Sequence, residues 1–161
     1  MKVRNSIFGT LPGGQSGRAL RCSLLGACAL LAQAASAAKC SIDSTGVTFG
    51  TYDIFSPTAN NDGIGTLHVD CKGSSGEVKL STGHSHSYAA REMTSGANSI
   101  HYNLYINPAR SVVWGDGTGG SHTMTVDKNH ESTVSVYGQI PAGQDAAVGL
   151  YSDHVTATVD Y

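Results

Sequence analysis

The chain has 161 residues, a length that suits one domain. Charged residues make up only 14% and there are 20 glycines, a composition that favours strands and turns over helices. The formal net charge is −2, and residues 38–161 alone, with six Lys and Arg against 12 Asp and Glu, carry −6, which disfavours nucleic acid and anionic membrane surfaces as partners.

Residues 1–37 are predicted to be a secretory signal peptide. Four basic residues and no acid are followed by a short apolar run at 22–32 and by an Ala-x-Ala cleavage site at Ala35-Ser36-Ala37. The apolar run is too short for a membrane-spanning helix. Leu25-Gly26-Ala27-Cys28 resembles a lipobox, but too few apolar residues precede it for a lipoprotein. The expected mature domain is therefore 38–161.

Two cysteines, Cys40 and Cys71, remain in the mature chain. An even pair in an oxidising compartment predicts a disulfide. In the chain-entropy model, a loop of this length stabilises the fold by about 3–4 kcal/mol. No Cys-x-x-Cys spacing is present, which disfavours a metal pair.

Alternating apolar and polar residues predict six or seven short strands separated by turns. In Gly65–Cys71, for example, Leu67, Val69 and Cys71 share one face. Residues 83–98 are interpreted as a polar loop in which Met93 is the apolar anchor. The expected strands lie at 40–52 in two pieces, 65–71, 78–80, 99–107, 133–140 and 155–161, with a short apolar piece at 112–114. This is the pattern of an all-β sandwich.

The last strand poses the question on which function depends. Val155, Ala157, Val159 and Tyr161 alternate with polar residues, so one face is expected to be buried. No further strand follows in this sequence to pair with its other edge. A long apolar edge is a template for pairing with another chain.

Several segments together resemble the spore coat protein U domain family, which includes subunits of archaic (Csu-type) chaperone–usher pili. The resemblance covers essentially all of the mature chain, and its last two segments are the most specific. The matching segments are Phe49–Asp53, Gly65–Cys71, Arg91–Met93, Tyr102–Tyr105, Trp114–Gly117, Val136–Gln144 and the run from Gly149 to Tyr161.

This resemblance implies an incomplete immunoglobulin-like β-sandwich that lacks its final strand. Its partners would be a periplasmic pilus chaperone, an outer-membrane usher and neighbouring pilin subunits, with no cofactor and no small-molecule substrate. The route would lead through the periplasm to a fibre on the cell surface. A donor strand would lie beside the last strand, in a groove formed by Phe49, Val155, Ala157, Val159 and Tyr161. Gly149 and Tyr161 would be the residues that a chaperone recognises.

One departure concerns the donor segment. Such a subunit needs about ten alternating residues before its first cysteine to complete a neighbour. Cleavage after Ala37 leaves only Ala38 and Lys39 there, so the chain could accept a strand but not donate one. This favours a tip or acceptor-only subunit. Cleavage after Ala29 would instead leave Leu30–Lys39 as an Ala-rich donor.

Catalysis and metal binding are the weaker alternatives. Ser152-Asp153-His154 cannot form a triad, because neighbours on a strand point to opposite faces. His84-Ser85-His86 would place two imidazoles on one side of an extended segment, but a zinc site needs three or four ligands. The chain is therefore interpreted as a non-enzyme without a metal.

Two further alternatives stay open. Trp114, beside Gly115-Asp116-Gly117, could be exposed for contact with a surface, although a buried, loop-anchoring Trp is favoured. A secreted spore-coat or cell-surface structural protein, not assembled into a pilus, is the second functional candidate.

Overall fold

The computed structural model describes residues 2–6 and 38–161 and is all-β, as predicted. Most of the predicted signal peptide, including its cleavage site, lies outside the described residues. Ten strands are described rather than six or seven. They are β1 (Lys2–Ser6), β2 (Lys39–Ser44), β3 (Val47–Thr48), β4 (Asn60–Lys72), β5 (Gly76–Leu80), β6 (Arg91–Ser95), β7 (Asn98–Tyr105), β8 (Met124–Val126), β9 (His130–Ile140) and β10 (His154–Asp160).

The strands other than β1 form two sheets. One has the order β6-β7-β9-β4-β3, with β2 also paired to β4, and the other has the order β10-β5-β8. β1 lies between β3 and β10 and is the strand that joins the two sheets in the described chain. The part of the chain that the structure describes contains no helix long and apolar enough to cross a membrane.

The central antiparallel pair β4 and β9 follows the predicted alternation. Leu67, Val69 and Cys71 of β4 are fully buried, while His68 between them is exposed. Cys71 lies opposite Cys40 in the β2–β4 pairing, and the two form the predicted disulfide. The disulfide therefore fastens β2 to the strand around which the first sheet is built.

Phe49 fills the core immediately after β3. Its ring is fully buried and meets Tyr102 edge to face, with 5.6 Å between centroids. Gly63 and Gly138 leave the space for it, because a Cβ at either position would lie 2.4–2.5 Å from the Phe49 ring. The two glycines are thus required by packing, not by turn geometry.

The loop prediction for residues 83–98 is wrong in its second half. Gly83–Ser85 form a short 3-10 turn, but Arg91–Ser95 form strand β6, which pairs with β7. Arg91 is fully buried, which the polar character of the segment does not suggest. Strand β8 was also not predicted; it pairs with β5.

Candidate functional site

Strand β10 has two different edges. On one side, Ala157–Asp160 pair antiparallel with Leu80–Glu77 of β5. On the other side, His154, Val155 and Thr156 pair in parallel with Arg4, Asn5 and Ser6 of β1. β1 also pairs antiparallel with β3, Lys2 opposite Thr48 and Val3 opposite Val47. We call the channel that β1 occupies the β3–β10 groove.

The direction of the backbone groups along β10 can be read from Thr156. Its N–H donates to the Ser81 hydroxyl at 2.9 Å, and its C=O accepts from the Ser81 N–H at 2.9 Å, so both face β5. Because backbone groups alternate between the two edges of a strand, those of Val155, Ala157 and Val159 face the β3–β10 groove. β1 reaches only to Thr156, and among the described strands none continues beside Ala157 and Val159 on that edge.

Four of the five predicted groove residues are buried or partly buried beside the β3–β10 groove, and Tyr161 is not. Val155 and Ala157 are fully buried, and Val159 is partly buried against the core. Phe49 lies just beyond β3 on the opposite wall, with its ring in the core. Tyr161 lies one residue past the end of β10 and is 39% exposed, so it does not belong to the buried face.

The two residues suggested for chaperone recognition lie at opposite ends of β10. Gly149 is in the exposed loop that precedes the strand, and Tyr161 follows the strand directly. Gly149 is therefore not part of the strand that a partner would pair with. Whether either residue is recognised stays a prediction.

A buried polar cluster fixes the start of β10, and no local pattern in the sequence predicts it. The Asp153 carboxylate is buried and accepts a hydrogen bond from the Tyr102 hydroxyl at 2.6 Å. It also accepts from the backbone N–H groups of His84 and His154, at 2.9 and 2.7 Å. Burial, followed by the Asp153 charge, raises the pKa of Tyr102 far above its ordinary value, so the hydroxyl remains a donor. These bonds join β7, the 3-10 turn and β10.

Arg91 is the centre of a second buried polar cluster, next to the end of β5. Its guanidinium donates to the carbonyls of Ser81 and Trp114 and to the Asn103 side-chain oxygen, with distances of 2.6–3.0 Å. It also lies over the Tyr88 ring, 5.2 Å from the centroid. Burial lowers the pKa of Arg91, and the carbonyl acceptors compensate the desolvated cation.

Trp114 is not available for contact with a surface. Its side chain is fully buried, and the indole N–H donates to the Val78 carbonyl at 3.1 Å. The exposed alternative is therefore wrong, and the core-anchoring interpretation holds. Tyr151, which precedes β10, donates its hydroxyl to the Ala147 carbonyl at 2.9 Å, the arrangement of a tyrosine corner.

The segments considered for catalysis and metal binding have no such geometry. Ser152 and His154 are exposed while Asp153 between them points inward. His84 lies in the 3-10 turn and His86 has a left-handed backbone, so the expected extended segment is not there. Across residues 2–6 and 38–161, no three His, Cys, Asp or Glu side chains are placed to hold a metal ion.

Comparison with known proteins places this chain in a family. Residues 27–158 match the Spore Coat Protein U domain. A curated relative, Protein U of Myxococcus xanthus, is 30% identical over 131 residues, which cover 71% of each chain.

A solved structure has a similar fold. It is the complex of the chaperone CsuC with the tip adhesion subunit CsuE from archaic chaperone–usher Csu pili of Acinetobacter baumannii, and it superposes with a TM-score of 0.54 at 20% identity. The match covers 78% of this chain but only 40% of that one. This similarity shows the fold alone. The match over residues 27–158 shows that the chain belongs to the Spore Coat Protein U domain family.

Proposed function

We propose that this chain is an exported structural subunit of a chaperone–usher pilus that accepts a β-strand from another protein beside its last strand. The observation that carries the proposal is the position of β1. The strand that joins the two sheets comes from Lys2–Ser6, inside the segment predicted to be removed on export. Residues 38–161 would then keep the β3–β10 groove but lose its occupant.

An open groove would be costly to the mature domain. The backbone groups of Val155, Ala157 and Val159 would face the groove without a strand, and the apolar side chains beneath would lose their cover. Addition of an extended segment satisfies both requirements, because main-chain hydrogen bonds pair with the edge and alternate side chains fill the core. A periplasmic chaperone and then a neighbouring pilin are the partners that this chemistry fits.

The similar CsuC–CsuE complex supports these partners, since it contains a chaperone and a tip subunit of a Csu pilus. An outer-membrane usher would follow from the same assembly route. We place the signal peptide at residues 1–37, the domain at 38–161, and the final location in a fibre on the cell surface.

The acceptor-only role depends on where the leader is removed. Cleavage after Ala37 leaves two residues before Cys40, and a tip position follows. The family match begins at residue 27, which supports a longer mature N-terminus as the alternative. N-terminal sequencing of the exported protein distinguishes them: a start at Ala38 gives an acceptor alone, and a start near Leu30 gives a donor segment as well.

The main test is export of the full chain with and without a pilus chaperone from the same organism. Without the chaperone we expect a low yield of soluble domain with a low melting temperature, and with the chaperone a stable one-to-one complex. Ala157→Pro removes one N–H that faces the groove and leaves the pairing with β5 intact, so the domain itself should tolerate the substitution. The chaperone complex should be weaker, because the partner strand loses that hydrogen bond. Ile64→Ser, an exposed position on β4, is the control and should leave the complex intact. A soluble, stable monomer that ignores the chaperone would favour the secreted coat protein instead.

A further inference from the structure

An apolar pocket lies at one end of the β3–β10 groove. The loops at 50–55 and 146–151 enclose about 390 Å³, with Ile100 among the lining residues. Four large apolar side chains around it are solvent-exposed; they are Ile54 (38%), Phe55 (87%), Val148 (108%) and Leu150 (89%). We call this the loop pocket. Exposed apolar side chains that surround a single concave pocket are typical of a binding surface.

The register of β1 shows that the loop pocket continues the groove. Lys2 lies opposite Thr48, and Arg4 lies opposite His154. A strand extended beyond Lys2 would therefore run between the residues after Thr48 on one wall and those before Ser152 on the other. Those two wall segments are the loops that line the pocket.

Hydrogen bonds hold the two loops in place. The Tyr52 hydroxyl donates to the Pro141 carbonyl at 2.9 Å and accepts from the Gln144 N–H at 3.1 Å, which ties the first loop to the segment leading into the second. The Gln144 side chain bonds to both backbone groups of His101, and Tyr151 holds the second loop through Ala147. A pocket that is already formed loses less entropy when it binds.

We propose that the loop pocket is the terminal subsite of the groove and binds an apolar side chain of the partner strand, two or three residues beyond the position of Lys2. This rests on the proposed function and adds a chemical requirement for the partner. Its strand must be longer than β1 and must be apolar at the end that leaves the groove beside Thr48 and Ser152. A polar end would leave Phe55 and Leu150 in water.

The test uses the full chain with a Gly/Ser tether and a strand added after Tyr161, exported so that the cell removes the leader. β10 is about 23 Å long, and a tether of about 20 residues spans a similar distance. The added strand can therefore enter the groove either parallel or antiparallel to β10. The strand is an alternating Val/Thr segment extended at its loop-pocket end by Leu-Thr-Leu or by Ser-Thr-Ser. A third form carries the tether alone.

We expect the Leu-Thr-Leu extension to raise the melting temperature by about 5 °C over the Ser-Thr-Ser extension. Phe55→Ser with Leu150→Ser should abolish that difference. Ile64→Ser, which replaces an apolar side chain on β4 that is 56% exposed, should keep it. Equal melting temperatures for the two extensions, or a gain that survives the double substitution, would overturn the subsite but leave strand acceptance intact. If neither form with an added strand has a higher melting temperature than the form with the tether alone, the proposed function fails as well.

Discussion

The two edges of β10 differ in how the chain completes them. Toward β5, the chain supplies its own partner, with four paired positions from Ala157 to Asp160 and a cluster of charges around Lys79. Toward β3, the partner is β1, which reaches three residues and belongs to a predicted leader. One edge is thus paired within residues 38–161, and the other is the edge at which we propose that a partner strand binds.

Contacts within residues 38–161 hold β10 at both of its ends. At the beginning of β10, the Asp153 carboxylate accepts hydrogen bonds from the Tyr102 hydroxyl and from the backbone N–H groups of His84 and His154. At its end, the Lys79 ammonium donates to the Asp160 carboxylate at 2.7 Å. A groove wall that is rigid before the partner arrives reduces the entropy lost when the partner binds.

Proline at adjacent positions of β10 should give the largest contrast. Thr158→Pro removes an N–H that faces β5 and interrupts the ladder, so we expect loss of cooperative unfolding with or without an added strand. Ala157→Pro removes an N–H that faces the groove, so the tether-only form should change little. In the tethered-strand form, Ala157→Pro should lower the melting temperature. Equal losses for both substitutions in the tether-only form would contradict the assignment of the two edges.

Asp153→Asn should have the next largest effect, because the amide cannot accept all the bonds that the carboxylate accepts. We expect a loss of about 1–3 kcal/mol in the free energy of unfolding, measured by urea denaturation of the tethered-strand form. Asp160→Asn, at the exposed end of the same strand, is the control. A loss at Asp160 as large as that at Asp153 would argue against a special role for the buried cluster.

Tyr151→Phe should cost about 1 kcal/mol, since it removes only the bond to the Ala147 carbonyl. The same variant should also reduce the advantage of the Leu-Thr-Leu extension, because Tyr151 holds the loop that carries Leu150. Calorimetry on both tethered forms measures the two effects. An unchanged extension advantage would indicate that the loop holds its shape without this bond.

The smallest effect should be the response of the β5 edge to acid. A hydrogen bond from Thr123, at 2.7 Å, and then Lys79 lower the pKa of Glu77. A lowered pKa stabilises the fold above the ordinary value for glutamate, and that contribution is lost as the pH falls through the lowered value. Thr123→Val should raise the pKa of Glu77 in an NMR titration and move acid unfolding to slightly higher pH. An unchanged pKa would refute the role of the hydroxyl.

The sequence alone was sufficient for the parts of the fold that depend on local alternation. Leu67, Val69 and Cys71 on one face of β4, and Val155 and Ala157 on β10, follow directly from the period of two. Their burial needs no knowledge of distant residues. The disulfide followed in the same way from the pair of cysteines and the export signal.

The remaining features depend on partners that are distant in sequence. Arg91 is a strand residue because Ser81, Asn103 and Trp114 supply its acceptors, which no local pattern reveals. The loop pocket combines loops about 95 residues apart in the chain. β1 could not be predicted either, since its pairing is defined by the groove and not by the basic segment that fills it.

Amide hydrogen exchange along β10 tests the central claim most directly. It should be measured on the exported chain after removal of residues 1–37, as the tether-only form and as the form with the Val/Thr strand. We predict that the amides of Thr156 and Thr158 are protected in both, while those of Val155, Ala157 and Val159 are protected only when the strand is present. Full protection of all five amides in the tether-only form would contradict the account, because the processed domain would then complete its own last strand.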